Sequence, residues 1–343
     1  MSEQLIVSAS PHIRTRVTTR RIMLDVVIAL MPCVVAGIVF FGWYALALTA
    51  ISVGSAVLTE LVYSLVARKA WKDFGGTLRE IVRDFDLTSV VTGVILALIL
   101  PVGVAWYLPF LGGIFAIALC KMLFGGTGRN LVNPADTARV FLFISFASMT
   151  SYVGTCMVDA IMPVTSDITE VLSGATPLTA MLTGGGMTLS PLDLFLGTGV
   201  DGCIGETCKA AIVVGYVYLA ARRVIKWYYP LIYIAVAGLF AVALEGFDFS
   251  FFLPSVLSGG LMFGAVFMAT DYCTSPKSTL ANIVYYVCLG LLTAGLRKAT
   301  GLEVVSFCIL LMNCLTPLLD RYIPRRPFGY VREKKPRGGE AKA

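Results

Sequence analysis

The chain has 343 residues, of which 57% are hydrophobic and only 14% charged, with a formal net charge of +6. Soluble domains carry roughly 25% charged residues, so this composition, with a mean hydropathy of +0.82, excludes an ordinary soluble enzyme and points to an integral membrane protein. Nine cysteines without a Cys-x-x-Cys pair, and one histidine, His12, exclude ferredoxin-type clusters, paired Cys/His zinc sites and bis-histidine haem within the chain, so any redox centre is organic or shared with another chain.

Residues 1–21 are polar and basic and read as a cytoplasmic segment. No Ala-x-Ala-like cleavage site follows Arg14, Arg16, Arg20 and Arg21, so the first apolar run is expected to stay in the mature protein. Ten apolar runs follow: Ile22–Phe41, Trp43–Ala67, Leu87–Trp106, Leu108–Phe124, Ala138–Val153, Cys203–Ala221, Trp227–Leu244, Phe251–Ala269, Leu280–Leu296 and Val304–Leu319. Each is near the length that crosses about 30 Å of hydrocarbon as a helix. The runs are continuous and not alternating, which excludes a barrel. The expected fold is all-α and integral to the membrane, with about ten transmembrane helices. Its first transmembrane half spans 22–153, an extracytoplasmic loop 154–202, its second half 203–320, and a basic tail 321–343.

Basic residues set the orientation. Arg68, Lys69, Lys72, Arg79 and Arg83 lie in the 68–86 loop, Arg129 in the 125–137 loop, and Arg222, Arg223 and Lys226 in a turn. With ten spans these fall on one side, together with Lys277 and both termini, which are therefore expected in the cytoplasm. The tail carries eight basic groups against Glu333 and Glu340. It reads as a positive-inside segment and not as a nucleic-acid-binding arm. Arg297 and Lys298 violate the pattern, falling on the outer side with Glu245 and Asp248.

Between Val140 and Cys208 there is no Lys or Arg. The 154–202 loop inside this stretch is expected to be extracytoplasmic. It carries Ser173-Gly174-Ala175-Thr176-Pro177-Leu178 and the run Gly184-Gly185-Gly186, which imply an accessible, irregular backbone. Its length suggests function beyond linkage. Cys203 and Cys208, near this face, are read as two structural thiols in preference to a disulfide or metal pair.

The stretch Leu87-Thr88-Ser89-Val90-Val91-Thr92-Gly93 is echoed by Leu253-Pro254-Ser255-Val256-Leu257-Ser258-Gly259. The first opens a span on the expected inner side and the second on the outer side, the pattern of an inverted five-plus-five repeat. After each echo comes a polar interruption, Gly125–Ala135 and Thr270–Pro276. Two readings stand for these breaks: ordinary cytoplasmic turns, or freed backbone that lines a ligand site.

Five stretches spread in order along the chain carry a resemblance: Ser10–Arg14 (SPHIR), Gly125–Arg139 (GGTGRNLVNPADTAR), Ser173–Leu178 (SGATPL), Gly202–Thr207 (GCIGET) and Ala269–Pro276 (ATDYCTSP). They resemble the D subunits of Rnf complexes, membrane-bound, ion-pumping ferredoxin:NAD oxidoreductases. More distantly, the chain is similar to the B subunits of sodium-pumping NADH:quinone reductases. The resemblance implies a urea-transporter-like fold, with FMN joined by a phosphoester to Thr176 in the Ser173-Gly174-Ala175-Thr176 element. Gly174 and Ala175 leave room for a flavin transferase at the hydroxyl. Where such acceptor motifs carry Asp six residues before the threonine, this chain has Glu170.

The resemblance further implies a non-covalent riboflavin among the helices. Its expected partners are an extracytoplasmic flavin subunit, further membrane subunits and cytoplasmic iron–sulfur and NADH-binding subunits. The role implied is electron transfer coupled to Na+ or H+ translocation in a bacterial or archaeal cell membrane, with no catalysis by the chain alone. The alternatives are a B-subunit-like role and a non-redox solute channel, which needs no hydroxyl acceptor.

Among intramembrane polar groups, Glu60 has two readings, an ion or proton pathway and a helix–helix hydrogen bond. Asp25 is expected to make a local salt bridge. Glu206 is read either as a flavin contact or as a helix N-terminal cap. Asn130, Asn133 and Asp271 either tie the broken loops together or contact a cofactor directly. His12 reads as a surface or packing residue.

Overall fold

The computed structural model describes residues 18–68, 74–150, 152–153, 173–174, 190–200 and 202–325. Thr176, Ala175, Glu170, His12 and most of the tail lie outside these residues. The architecture is helical, with one two-stranded ladder in which Tyr152 pairs with Gly174 and Val153 with Ser173. Several of the helices are apolar, as in a multi-pass membrane protein.

Two long helices open the chain, α1 (Thr19–Phe41) and α2 (Trp43–Ala67). Thr18 caps the first by accepting a hydrogen bond from the Arg21 N–H. Gly42, at φ 73°, makes the single-residue turn between them. The expected 68–86 loop is in part a helix, α3 (Phe74–Asp84), held to the end of α2 by ion pairs from Arg68 to Glu80 and Asp84.

The third expected span is broken. Helix α4 (Thr88–Leu98) stops half-way, although residues 99–105 stay apolar. Its exposed carbonyls are satisfied from afar: Gly205 N–H donates to Leu98 O at 2.7 Å and Ile204 N–H to Leu100 O at 3.1 Å. Helix α5 (Tyr107–Ile117) runs into a π-turn at Ala118–Met122, and α6 (Pro134–Ser145) starts earlier and ends earlier than expected. Asn133 caps α6 through its side chain, with Pro134 at the first position, where the missing N–H costs nothing.

After the short α7 (Pro191–Leu196) come α8 (Lys209–Ala221), which packs against α1, and α9 (Tyr228–Leu244). The eighth expected span is bent by 69° between Phe249–Leu257 and Leu261–Met268. It contains α10 (Phe252–Leu257), α11 (Leu261–Phe263) and a π-turn at Gly264–Met268. Helices α12 (Thr279–Thr300) and α13 (Val305–Tyr322) close the chain. Among the described residues, three helices (α1, α2 and α12) are long and apolar enough to cross a membrane unaided, and the bent pair makes a fourth. Four shorter apolar helices accompany them.

Helix α2 packs against both α4 and α5 through a small-residue face. A Cβ on Gly93 would meet Val53 Cα at 2.7 Å, and one on Gly113 would meet Ser52 O at 3.1 Å. Such residues let backbones approach where lipid offers no hydrophobic drive for helix association. One cluster of buried apolar residues runs from Leu30 on α1 through Leu98 and Tyr233 to Ile309 on α13. Buried tyrosines inside it keep their hydroxyls bonded: Tyr233 with Thr293, Tyr285 to Asn313 and Tyr286 to Ala269 O, each at 2.8 Å.

Chain alternation gives the molecule two ends. The proximal end carries the start of α1, the end of α2, the 123–133 and 269–278 turns and the end of α13. Its contacts include Arg222 with Asp25 at 3.3 Å and Lys277 N–H to Asp320 at 2.8 Å. Asp25 thus has the expected salt bridge, but its partner directly follows α8 and is not among the N-terminal arginines. The distal end carries the ladder, α7, the 202–208 turn and the end of α12.

Candidate functional site

The two polar interruptions meet at the proximal end. Asn133 donates from Nδ2 to Met268 O at 3.3 Å, tying the start of α6 to the π-turn of the second half. Asn130 Nδ2 donates to Val132 O at 3.2 Å and fixes its own turn. Asp271 accepts from the Cys273 N–H at 3.4 Å and the Thr274 hydroxyl at 3.3 Å. Of the three, Asn133 bonds from one broken loop to the other half, whereas Asn130 and Asp271 bond within their own loops; all three border one pocket.

That pocket encloses about 820 Å³ free of protein atoms, its open mouth included. Val91, Ile95, Leu219, Val224, Val266 and Phe267 give it apolar walls. Lys121, Thr88, Thr127, Asn130 and Asp271 give it a polar rim. Sites for flat organic ligands have this character, mostly apolar walls with a few placed polar groups.

By sequence Lys121 is legible only as a basic residue at a loop edge. Here it is buried, donating to Glu60 Oε1 at 2.8 Å and to Thr88 Oγ1 at 2.5 Å. Glu60 is therefore one half of an ion pair that backs the pocket, and its Oε2 is buried without a hydrogen-bond partner. At the mouth, Asp86 accepts from Thr88 Oγ1 at 2.6 Å and from Thr127 Oγ1 at 2.8 Å. Burial pushes its carboxyl up, but the hydrogen bonds from Thr88 and Thr127, with nearby Lys121, outweigh it and hold the group below the ordinary value.

Glu206 is elsewhere. It lies at the distal end in a knot of four buried charges around the break at Ser258–Gly260. Glu206 Oε1 accepts the Cys203 N–H at 3.0 Å, so it closes its own turn, while Cys208 occupies the start of α8 without a side-chain cap. The Lys209 ammonium donates to Gly259 O at 3.0 Å and to Glu206 O. Arg297 pairs with Glu303 at 3.0 Å and donates to Ser255 O at 3.2 Å and Ser258 O at 3.4 Å, the carbonyls left open where α10 ends. Gly259, at φ 63°, and Gly260 leave room for the two carboxylates.

This knot explains the basic pair that fell on the wrong side. Arg297 is no loop charge but a buried cap for a broken helix, and Lys298 is neutralised by Glu245. Cys203 and Cys208 are both free thiols. A second cluster joins the knot to α6. Arg139, also placed at a loop edge by sequence, is buried and donates to Ser306 Oγ at 3.0 Å and to Cys203 Sγ at 3.6 Å. Sequence reasoning misses Lys209, Arg139 and Glu303 because each reads as an ordinary residue at the end of an apolar run.

Of the Ser173–Leu178 stretch, the structure describes the Ser173 and Gly174 backbone, paired with Val153 and Tyr152 at the distal end, just after α6. Thr176 and Ala175 follow outside the described residues.

The model of the NQR2, RnfD, RnfE family matches residues 6–329. The chain is 41% identical to the D subunit of the Na(+)-translocating ferredoxin:NAD(+) oxidoreductase complex of Acetobacterium woodii, over 99% of this chain and 98% of that one. It is 33% identical to the D subunit of the proton-translocating ferredoxin:NAD(+) oxidoreductase complex of Clostridium ljungdahlii, over 94% and 96% of the two chains. It is 30% identical to the D subunit of an ion-translocating oxidoreductase complex of Escherichia coli, over 94% and 98%.

Proposed function

The chain belongs to the NQR2, RnfD, RnfE family, and from that premise we propose that it is the membrane electron-transfer subunit of a complex that couples ferredoxin:NAD+ electron flow to Na+ or H+ translocation, with FMN joined to Thr176. Membership of an ion-translocating oxidoreductase follows from relatives that match over nearly the whole chain. That full-length likeness is the observation that carries the reading.

The flavin assignment draws support from the acceptor element itself. Ser173 and Gly174 are held by backbone pairing to the segment that follows α6. The hydroxyl of Thr176 comes two residues later, beside small neighbours that admit a modifying enzyme. A phosphodiester keeps a negative charge, which suits an aqueous loop and not hydrocarbon.

The pocket between the broken loops is our candidate for the non-covalent riboflavin. Its apolar walls suit the benzenoid side of an isoalloxazine, and Lys121, Asn130 and the threonine hydroxyls suit the pyrimidine edge. Once bound, a flavin accepts and passes on electrons singly or in pairs. The protein residues position the ring, exclude water with Val91, Ile95 and Phe267, and hold a cation at the rim.

The two halves pack alike, α2 against α4 and α5, and α9 against the bent span and α12. This supports an inverted five-plus-five repeat of about ten membrane passes. The proximal end, rich in Arg and Lys, is then cytoplasmic with both termini, and the Thr176 loop faces the opposite side. The cofactor-reducing and NADH-binding chemistry belongs to partner subunits, and a flavin transferase is needed for maturation.

Expression with a flavin transferase, followed by a denaturing gel viewed under ultraviolet light, tests the covalent flavin. The wild-type band is expected to fluoresce and the Thr176→Ala band to be dark. A dark wild-type band, or an equally bright variant, overturns the assignment.

A further inference from the structure

We propose that the Asp136 carboxylate is an internal binding site for the translocated cation. This rests on the reading of the chain as part of an ion-translocating complex.

Four carboxylates are buried among the described residues: Asp25, Asp136, Glu206 and Glu303. Asp25 has Arg222, Glu303 has Arg297, and Glu206 takes the Cys203 N–H. Asp136 is 0% exposed, and neither of its oxygens has a hydrogen-bond partner. Its nearest polar neighbours are the Arg139 guanidinium on its own helix and the Ser306 hydroxyl on α13; Arg139 donates to Ser306 Oγ and to Cys203. On α12, Tyr285 gives its hydroxyl proton to Asn313.

An ionised carboxylate without hydrogen bonds is strongly unfavourable in a buried setting, and so it takes up a positive charge when one is offered. Yet Asp136 sits in the first turn of α6, where the helix dipole favours its anionic form. The two pulls make a group that exchanges its counter-charge instead of holding it fixed. An unpaired intramembrane acid is a functional group by default.

Polar groups flank it on both sides. Asn133 and Pro134, one turn before it in the chain, border the proximal pocket. Beyond it, Arg139 and Cys203 lead to the distal break, where Thr207 Oγ1 and Ser258 Oγ are also buried without partners beside Glu206 and Glu303. Glu60, the sequence-based candidate for this role, already has Lys121.

The test uses the assembled complex. Dicyclohexylcarbodiimide modifies buried, exchangeable carboxyl groups, and peptide mass mapping should place the adduct on Asp136. Protection by NaCl assigns Na+ as the ligand; modification that NaCl leaves unchanged assigns the proton. In inverted vesicles, Asp136→Asn should keep ferredoxin-driven NADH formation while cation uptake per NADH falls by about tenfold or more, and Asp136→Glu should restore part of it. Uptake by Asp136→Asn at the wild-type ratio overturns the proposal. If Asp136→Asn fails to assemble, the labelling decides, and an unmodified Asp136 in the wild-type complex overturns it. A wild-type complex that drives no cation uptake overturns instead the reading on which the proposal rests.

Discussion

The distal break and the proximal pocket use their polar side chains to opposite ends. At the distal break, Glu206, Lys209, Arg297 and Glu303 are spent on one another and on the open carbonyls of a broken helix. At the proximal pocket, Asn130, Thr127 and Asp271 are tethered by local bonds but still border space. The difference separates charge that completes the fold from polarity that is held ready for a ligand. It also explains why a positive-inside violation and a functional candidate look alike before their partners are known.

Substitutions at the two ends should therefore fail in different ways. The largest effect is expected from Arg297→Met, which strands Glu303 and uncaps Ser255 and Ser258. Removing one member of a buried pair typically costs about 3–5 kcal/mol, readable as a lowered unfolding midpoint in detergent. The double variant Arg297→Met/Glu303→Leu should recover part of the loss, but not all, because the carbonyls stay open. Full recovery would show that the cap contributes nothing. Gly260→Ala comes next: its Cβ would press on the Glu206 carboxylate, an overpacking cost of about 1–3 kcal/mol.

At the proximal pocket the order reverses. Asn130→Ala removes one local hydrogen bond, worth about 1 kcal/mol, and should hardly move the unfolding midpoint. It should, however, lower the non-covalent flavin recovered with the purified protein. Unchanged flavin content would remove Asn130 from the rim.

The smallest effect is at Asp193, in the solvent-facing helix α7. Its carboxyl lies below the ordinary value because the Ser190 hydroxyl, then Thr198, donate to it. A depressed folded value means that this cap is in place above the unfolded value of about 3.9 and is lost as pH falls through the folded one. Amide exchange in residues 191–196, corrected for intrinsic rates, should rise on acidification in the wild type. In Asp193→Asn, which has no carboxyl to titrate, it should stay flat.

The long helices are legible in the sequence because uninterrupted apolar runs leave a buried or lipid-facing backbone no alternative to its own hydrogen bonds. The end of α4 at Leu98 is only partly so. Pro101 marks a break, but residues 99–105 stay apolar, and the donors that satisfy the open carbonyls come from Ile204 and Gly205, a hundred residues away in sequence. At the second break, Ser258-Gly259-Gly260 marks a weak point, but not the charges that surround it. The site is half legible. Asn130, Asn133 and Asp271 stand out as residues of the two polar interruptions, and they do converge. Lys121, Arg139 and Arg297 look like loop-side charges, because burial and partners 61, 167 and 6 residues distant decide their roles. Asp136 hides inside a polar motif. It lies in the first turn of a helix opened by Asn-Pro, two residues before the apolar run begins at Ala138, so hydropathy gives it no place in the span.

The most direct test of the central claim is peptide mass mapping of the wild-type protein purified with its complex. The account predicts that the peptide containing Thr176 carries the added mass of FMN less one water, with fragments placing it on the threonine. An unmodified Thr176 peptide in a protein whose complex transfers electrons from ferredoxin to NAD+ would contradict it.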